Sequence, residues 1–137
     1  MARYYLDTSI WLDLFENRNE PHLPKGEWAL RLVTKCVENG DTIMYSDMVV
    51  RELEDMGYPL AELRTLLEAW KPILMFVESS YHLVRRAKDL SAKRDVPLLD
   101  ALHALLAREH HAFLVSLDHH FRKLEDITHA KSPKDLI

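Results

Sequence analysis

Short apolar runs alternate with longer amphipathic segments along the whole chain, and that alternation limits the folds open to it. RYYL (residues 3–6), DTIMYSD (41–47), ILMFVE (73–78) and AFLVSLD (112–118) have the length and residue types of strands. Between them lie stretches with apolar residues at helical spacing: 9–17, 27–38, 46–57, 59–70, 79–95 and 97–110. In 27–38, for example, Trp28, Leu32, Val33, Cys36 and Val37 fall on one side, and Gly40 supplies a stop signal. The prolines and glycine of NRNEPHLPKG mark a loop between the first two helices. The tail DITHAKSPKDLI is expected to add a last strand. Strands separated by helices predict an α/β fold around a parallel sheet, joined by right-handed crossovers. No internal repeat or linker divides the chain, so residues 1–137 are expected to form a single domain.

Composition removes several classes. With 47% hydrophobic residues and only 3 glycines, the chain is neither disordered nor low in complexity. Its apolar stretches fall far short of the roughly 20 residues that cross a bilayer, and no basic segment followed by a long apolar one opens it. A cytoplasmic protein without a membrane partner is expected. The single cysteine, Cys36, excludes an internal disulfide and a multi-cysteine zinc site. The net charge of −4 argues against a generic nucleic-acid binder. If four carboxylates hold metal, however, 18 acids remain against 18 bases, and charge no longer decides the substrate.

Four carboxylates stand out. Asp7 and Asp118 each end an apolar run, and in parallel sheets ligands sit beyond the carboxyl ends of the strands. Helix capping explains either aspartate equally well. Glu52 leaves the polar face of its helix (Asp47, Arg51, Glu54 and Asp55) and falls between Met48 and Met56, at the edge of the buried arc. A salt bridge or a side chain reaching out to water would also account for it. Asp100 shares a narrow strip with His103, Ala104 and Ala107, opposite a cluster of leucines. The helix dipole favours an acid there, and the small neighbours leave room for a ligand. His103 reads as a polar neighbour rather than a ligand, and His119 and His120 as solvated loop residues or as substrate contacts.

Taken in order, YYLDTSIW, YSDMVVRELE, LLDALHALLA and FLVSLDHHF resemble the PIN-domain nucleases over nearly the whole chain. The short length is most similar to the VapC-type toxin ribonucleases of toxin–antitoxin pairs. The resemblance implies a three-layer α/β/α sandwich around a small parallel sheet. It also implies a divalent-metal-dependent endoribonuclease in which Asp7, Glu52, Asp100 and Asp118 hold Mg2+ or Mn2+. Ser116 stands two residues before the last acid, where a hydroxyl is usual, and Ser9 follows the first; both would orient the ligands. Asp7 and Asp100 are expected as direct ligands, Glu52 and Asp118 as direct or water-mediated ones. RNA is the implied substrate, a cognate antitoxin a possible partner and a homodimer the expected assembly.

Carboxylate-held ions suit phosphodiester hydrolysis, because an ion both prepares a water and neutralises a leaving oxygen. Basic side chains would grip the RNA backbone; the candidates are Arg85, Arg86, Lys88, Lys93 and Arg94, with Arg122 and Lys123 just past Asp118. A charge run on a helix is also an ordinary solvated face. Three other readings stay open at this level: a stand-alone RNA-processing nuclease, a non-catalytic PIN-fold interaction module, and a receiver-type domain with aspartates at strand ends. The last lacks a convincingly placed lysine on a late strand. Four unneeded carboxylates placed together would repel one another, which weighs against the inert module.

Overall fold

The computed structural model describes residues 1–137. Four parallel strands, β1 (Arg3–Leu6), β2 (Thr42–Ser46), β3 (Leu74–Val77) and β4 (Phe113–Val115), form one sheet in the order β3-β2-β1-β4. Six helices connect them: α1 (Thr8–Glu16) and α2 (Lys25–Asn39), then α3 (Asp47–Asp55) and α4 (Leu60–Glu68), then α5 (Tyr81–Arg94) and α6 (Leu98–Glu109). Each crossover is therefore a helix pair, and α1 packs on α2 as α5 packs on α6. The helices flank the sheet in the α/β/α arrangement that the alternating pattern and the family resemblance led one to expect.

Local chemistry explains most boundaries. Asp7 caps α1 by accepting from the Ile10 amide, Ser46 caps α3 through Val49 and Ser80 caps α5 through Leu83. Proline opens α4 and α6, where a missing amide proton costs nothing. Gly40, at φ +70°, ends α2 in the left-handed region. In α2 the periodic apolar face is buried at Ala29, Leu32, Val33 and Cys36. Cys36 is wholly buried in the core, and burial pushes its thiol up to about 11, so it behaves as a small apolar side chain. At Gly26 the backbone of α2 meets the end of α1: a Cβ there would lie 2.7 Å from the Asn17 backbone.

Three expectations change. The tail adds no strand. It makes one parallel bridge, Val115 with Lys131, through Ser116 N–H to Lys131 O and Lys131 N–H to Leu114 O, and then turns into a short 3-10 helix at Pro133–Leu136. Its proline and charges leave too few pairing residues to run further. The last strand also stops at Val115, three residues before Asp118: Asp7 N–H donates to Val115 O, and the next amide, Ser116 N–H, goes to Lys131 O instead of β1. In α3, Met56 lies outside the buried face, 55% exposed at the C-cap, while Val49 and Leu53 carry the packing.

The topology positions the site. The chain builds β1, β2 and β3 outward in one direction, then places β4 on the other side of β1. The order reverses between β1 and β4, and a crevice opens beyond their carboxyl ends. Asp7 follows β1 directly, and Ser116 and Asp118 follow β4. The helix α6 leads into the start of β4, so its own first turn, with Asp100, lies at the carboxyl edge of the sheet.

Candidate metal centre

Asp7 is the innermost acid, only 5% exposed. Its Oδ1 accepts from the Ser9 hydroxyl (2.8 Å) and the Ile10 amide (3.1 Å), and its Oδ2 from the Ser116 hydroxyl. Burial pushes its carboxyl up, and the Ser116 and Ser9 hydroxyls pull against that. Ser116 also accepts from the Asp118 amide at 3.0 Å, so one hydroxyl ties the ends of β1 and β4 together. Asp7 and Asp118 are thus helix caps and neighbours in one crevice at once; Asp118 caps a 3-10 turn by accepting from the His120 amide. The capping and site explanations are not alternatives.

Asp100 stands beside them. Its side chain is 17% exposed, and its Oδ2 is buried with no hydrogen-bond partner. Burial first, and then the neighbouring Asp118 carboxylate, push its carboxyl up to about 6. The Asp7 carboxylate adds to that rise, so the three acids share one electrostatic environment. The His120 ring reaches the same place, with Nδ1 3.0 Å from Asp118 Oδ1 and 3.3 Å from Asp100 Oδ2. His119, next to it, points outward with 77% of its side chain exposed.

Glu52 arrives from α3 and is held differently. Its Oε1 accepts from the Thr8 hydroxyl and from His103 Nε2, both at 2.7 Å. His103 is 2% exposed and its Nδ1 meets the Tyr5 hydroxyl at 2.6 Å; Tyr5 meets Ser46 Oγ at 2.7 Å. Ser46 Oγ already accepts from the Val49 amide. One direction of donation satisfies every atom: Ser46 to Tyr5, Tyr5 to His103 Nδ1, and His103 Nε2–H to Glu52. Burial raises the Tyr5 phenol, which keeps it a donor. For Glu52 burial acts upward, but His103, by its hydrogen bond and its Coulombic attraction, and then the Thr8 hydrogen bond outweigh it and hold the carboxyl below its ordinary value. The structure therefore gathers Asp7, Asp100 and Asp118 and sets Glu52 beside them, one residue away from Asp7 through Thr8.

The basic candidates do not form one patch. Arg94 is engaged with Asp126, Lys93 with Asp89, and Lys123 donates to the Asp95 carbonyl. Arg85 lies over the Tyr81 ring, and Arg86 and Lys88 face solvent on α5. Arg122 lines an open cleft of about 290 Å³ together with Ser116, Asp118 and His119, beside the acids.

Residue-by-residue reading missed Thr8, Tyr5 and Ser46. Each looks like a strand or cap residue in sequence, and nothing local marks it as a partner of Glu52 or His103. The one available signal was His103, a histidine on the small-residue strip of α6 beside Asp100.

No curated protein matches the sequence. Among solved structures, the chain is similar to VapBC2 from Rickettsia felis bound to a DNA fragment from their promoter, at 17% identity and a TM-score of 0.67, covering 95% of this chain and 98% of that one. It is also similar to a toxin–antitoxin complex from Klebsiella pneumoniae, at 18% identity and a TM-score of 0.64, covering 97% and 98%. FitAcB from Neisseria gonorrhoeae follows at 14% identity and a TM-score of 0.64, covering 96% and 98%. At these identities the likeness is one of fold. The sequence itself goes further, since the PIN domain family model matches residues 4–127, and the chain belongs to the PIN domain family.

Proposed function

We propose that residues 1–137 act as a single metal-dependent endoribonuclease domain, the toxin of a toxin–antitoxin pair, working in the cytoplasm. The observation that carries the metal reading is the buried, unpartnered Oδ2 of Asp100, whose carboxyl feels the charges of Asp118 and Asp7. Crowded carboxylates repel one another, and a buried polar atom without a partner is costly; a hard cation relieves both. An acidic donor set with oxygen ligands suits Mg2+ or Mn2+. In this reading Asp7, Asp100 and Asp118 hold the ion, and Glu52 binds it directly or through water. The ion supplies activation of a water and neutralisation of the leaving oxygen.

The chain's own residues do the rest. Ser9 and Ser116 aim the Asp7 carboxylate, and Thr8 with His103 keeps Glu52 ionised and fixed in place. Arg122, in the cleft beside Asp118, is the best-placed side chain to meet an RNA phosphate, with Arg85 and Arg86 further out on α5. The likeness to toxin–antitoxin complexes supports a cognate antitoxin as partner, and the homodimer that the family resemblance implies is proposed as the free state.

The test is cleavage of generic RNA by the wild type and by Asp7→Asn, with Mg2+, with Mn2+ and with chelator. Metal-dependent cleavage that falls about 100-fold or more in the variant, equivalent to about 2.7 kcal/mol in the barrier, is expected. Cleavage in chelator, or equal rates in a folded Asp7→Asn, would overturn the assignment.

A further inference from the structure

We infer that His120 is a nitrogen ligand of the ion held by Asp100 and Asp118, so that the site selects first-row transition ions such as Mn2+ over Mg2+. The inference rests on the proposed metal-nuclease reading and deepens it.

Geometry carries it. His120 Nδ1 lies 3.0 Å from Asp118 Oδ1 and 3.3 Å from Asp100 Oδ2, yet it makes a hydrogen bond to neither. Both Nδ1 and Asp100 Oδ2 are buried atoms without a partner. Buried atoms this close without a hydrogen bond between them are placed as two ligands of one ion would be. The separations match that picture. Adjacent ligands on an octahedral ion with bonds of about 2.1 Å stand about 3.0 Å apart.

The backbone holds the ring there. The His120 amide donates to Asp118 Oδ1 at 2.9 Å, closing the turn that brings residue 120 back over residue 118. A nitrogen of His119 also lies within 4.8 Å of ligand atoms of Asp118 and His120, but its Nδ1 stands 3.8 Å from Asp118 Oδ1 and its side chain is 77% exposed, so His120 is the nearer donor. His120 also borders an open cleft of about 500 Å³ lined by Asp95, Val96, Pro97, His119 and Lys123.

The consequence is chemical. Magnesium takes oxygen ligands and gains little from an imidazole, whereas affinity for first-row divalent ions rises with nitrogen donors. One histidine among carboxylates therefore shifts the preference without closing the site to magnesium.

The full-length chain would be titrated with Mn2+ and with Mg2+ by calorimetry, and the Mn2+ form examined by pulsed electron paramagnetic resonance. Wild type should show nitrogen-14 modulation from a directly bound imidazole. His120→Ala should lose that modulation and bind Mn2+ at least about 10-fold more weakly. Its Mg2+ affinity should change less than about 2-fold. His119→Ala should keep the modulation. Bound Mn2+ without nitrogen coupling in the wild type would overturn the inference and leave the carboxylate site standing. Equal weakening of Mn2+ and Mg2+ by His120→Ala would overturn the selectivity. Failure of the wild type to bind either ion would overturn the metal reading as well. The wild-type spectrum decides the ligand question even where a variant does not fold.

Discussion

Asp100→Asn removes one charge from a crowded crevice and keeps the shape of the side chain. In the metal-free protein it should stabilise the fold, and only over a defined pH range. The folded carboxyl sits at about 6, against an ordinary value of 3.8, because of burial and the Asp118 carboxylate. Below about pH 4 both folded and unfolded chains keep the proton, and the group costs nothing. Between 4 and 6 the unfolded chain releases a proton that the folded chain retains, so stability falls as pH rises. Above about 6 both are ionised and the penalty is complete. At about 1.36 kcal/mol per pH unit, that interval sets a ceiling of about 3 kcal/mol. The new amide meets the His120 Nδ1, 3.3 Å from Oδ2, and the neighbouring Asp118 carboxylate only in imperfect geometry, which returns about 1–2 kcal/mol. The net gain at pH 7.5 is about 1–2 kcal/mol, or about 3–8 °C in Tm for a chain of this size. Thermal melts in chelator at pH 4.5 and 7.5 measure it, with Asp55→Asn on the exposed face of α3 as a control that should not move. Adding Mn2+ at about 100 times its Kd should raise the wild type by about 2.7 kcal/mol and reverse the order. A variant that is less stable at pH 7.5 in chelator, or a difference independent of pH, would refute the account of Asp100 as a repelled, buried carboxylate.

Two further predictions concern the scaffold. Gly26→Ala places a Cβ 2.7 Å from the Asn17 backbone, which no side-chain rotation relieves, so a loss of about 1–3 kcal/mol should exceed the small gain in helix propensity; a higher Tm would contradict the close approach of α1 and α2. Tyr5→Phe keeps the ring in the core, leaves His103 Nδ1 without a donor and takes the acceptor from the Ser46 hydroxyl proton, so the urea midpoint should fall by an amount equal to about 1–3 kcal/mol at unchanged slope, and an unchanged midpoint would deny the buried chain its role.

Local pattern was enough for the architecture. RYYL, TIMYS and LMFV pair where apolar runs of strand length stood, and α2, α5 and α6 run where helical spacing placed them. Those signals come from neighbours in sequence, since a helix or strand face is set by residues within a turn or two. The family resemblance, carried by four short motifs, was legible for the same reason and is matched over residues 4–127. The tail was misread because a parallel bridge at Lys131 depends on β4 lying alongside, which no local pattern encodes. The chemistry of the crevice depends even more on distance in sequence. Asp7, Asp100 and Asp118 meet because the strand order reverses between β1 and β4, a fact of topology rather than composition. Glu52 owes its low carboxyl to a histidine 51 residues away and a threonine 44 residues away. His120, a loop histidine by its neighbours, turns inward because Asp118 accepts its amide and folds the turn back on itself. Sequence specifies which side chains are acids and donors; burial and orientation, which shift a carboxyl to about 6 or leave an oxygen without a partner, exist only once the chain has closed around them.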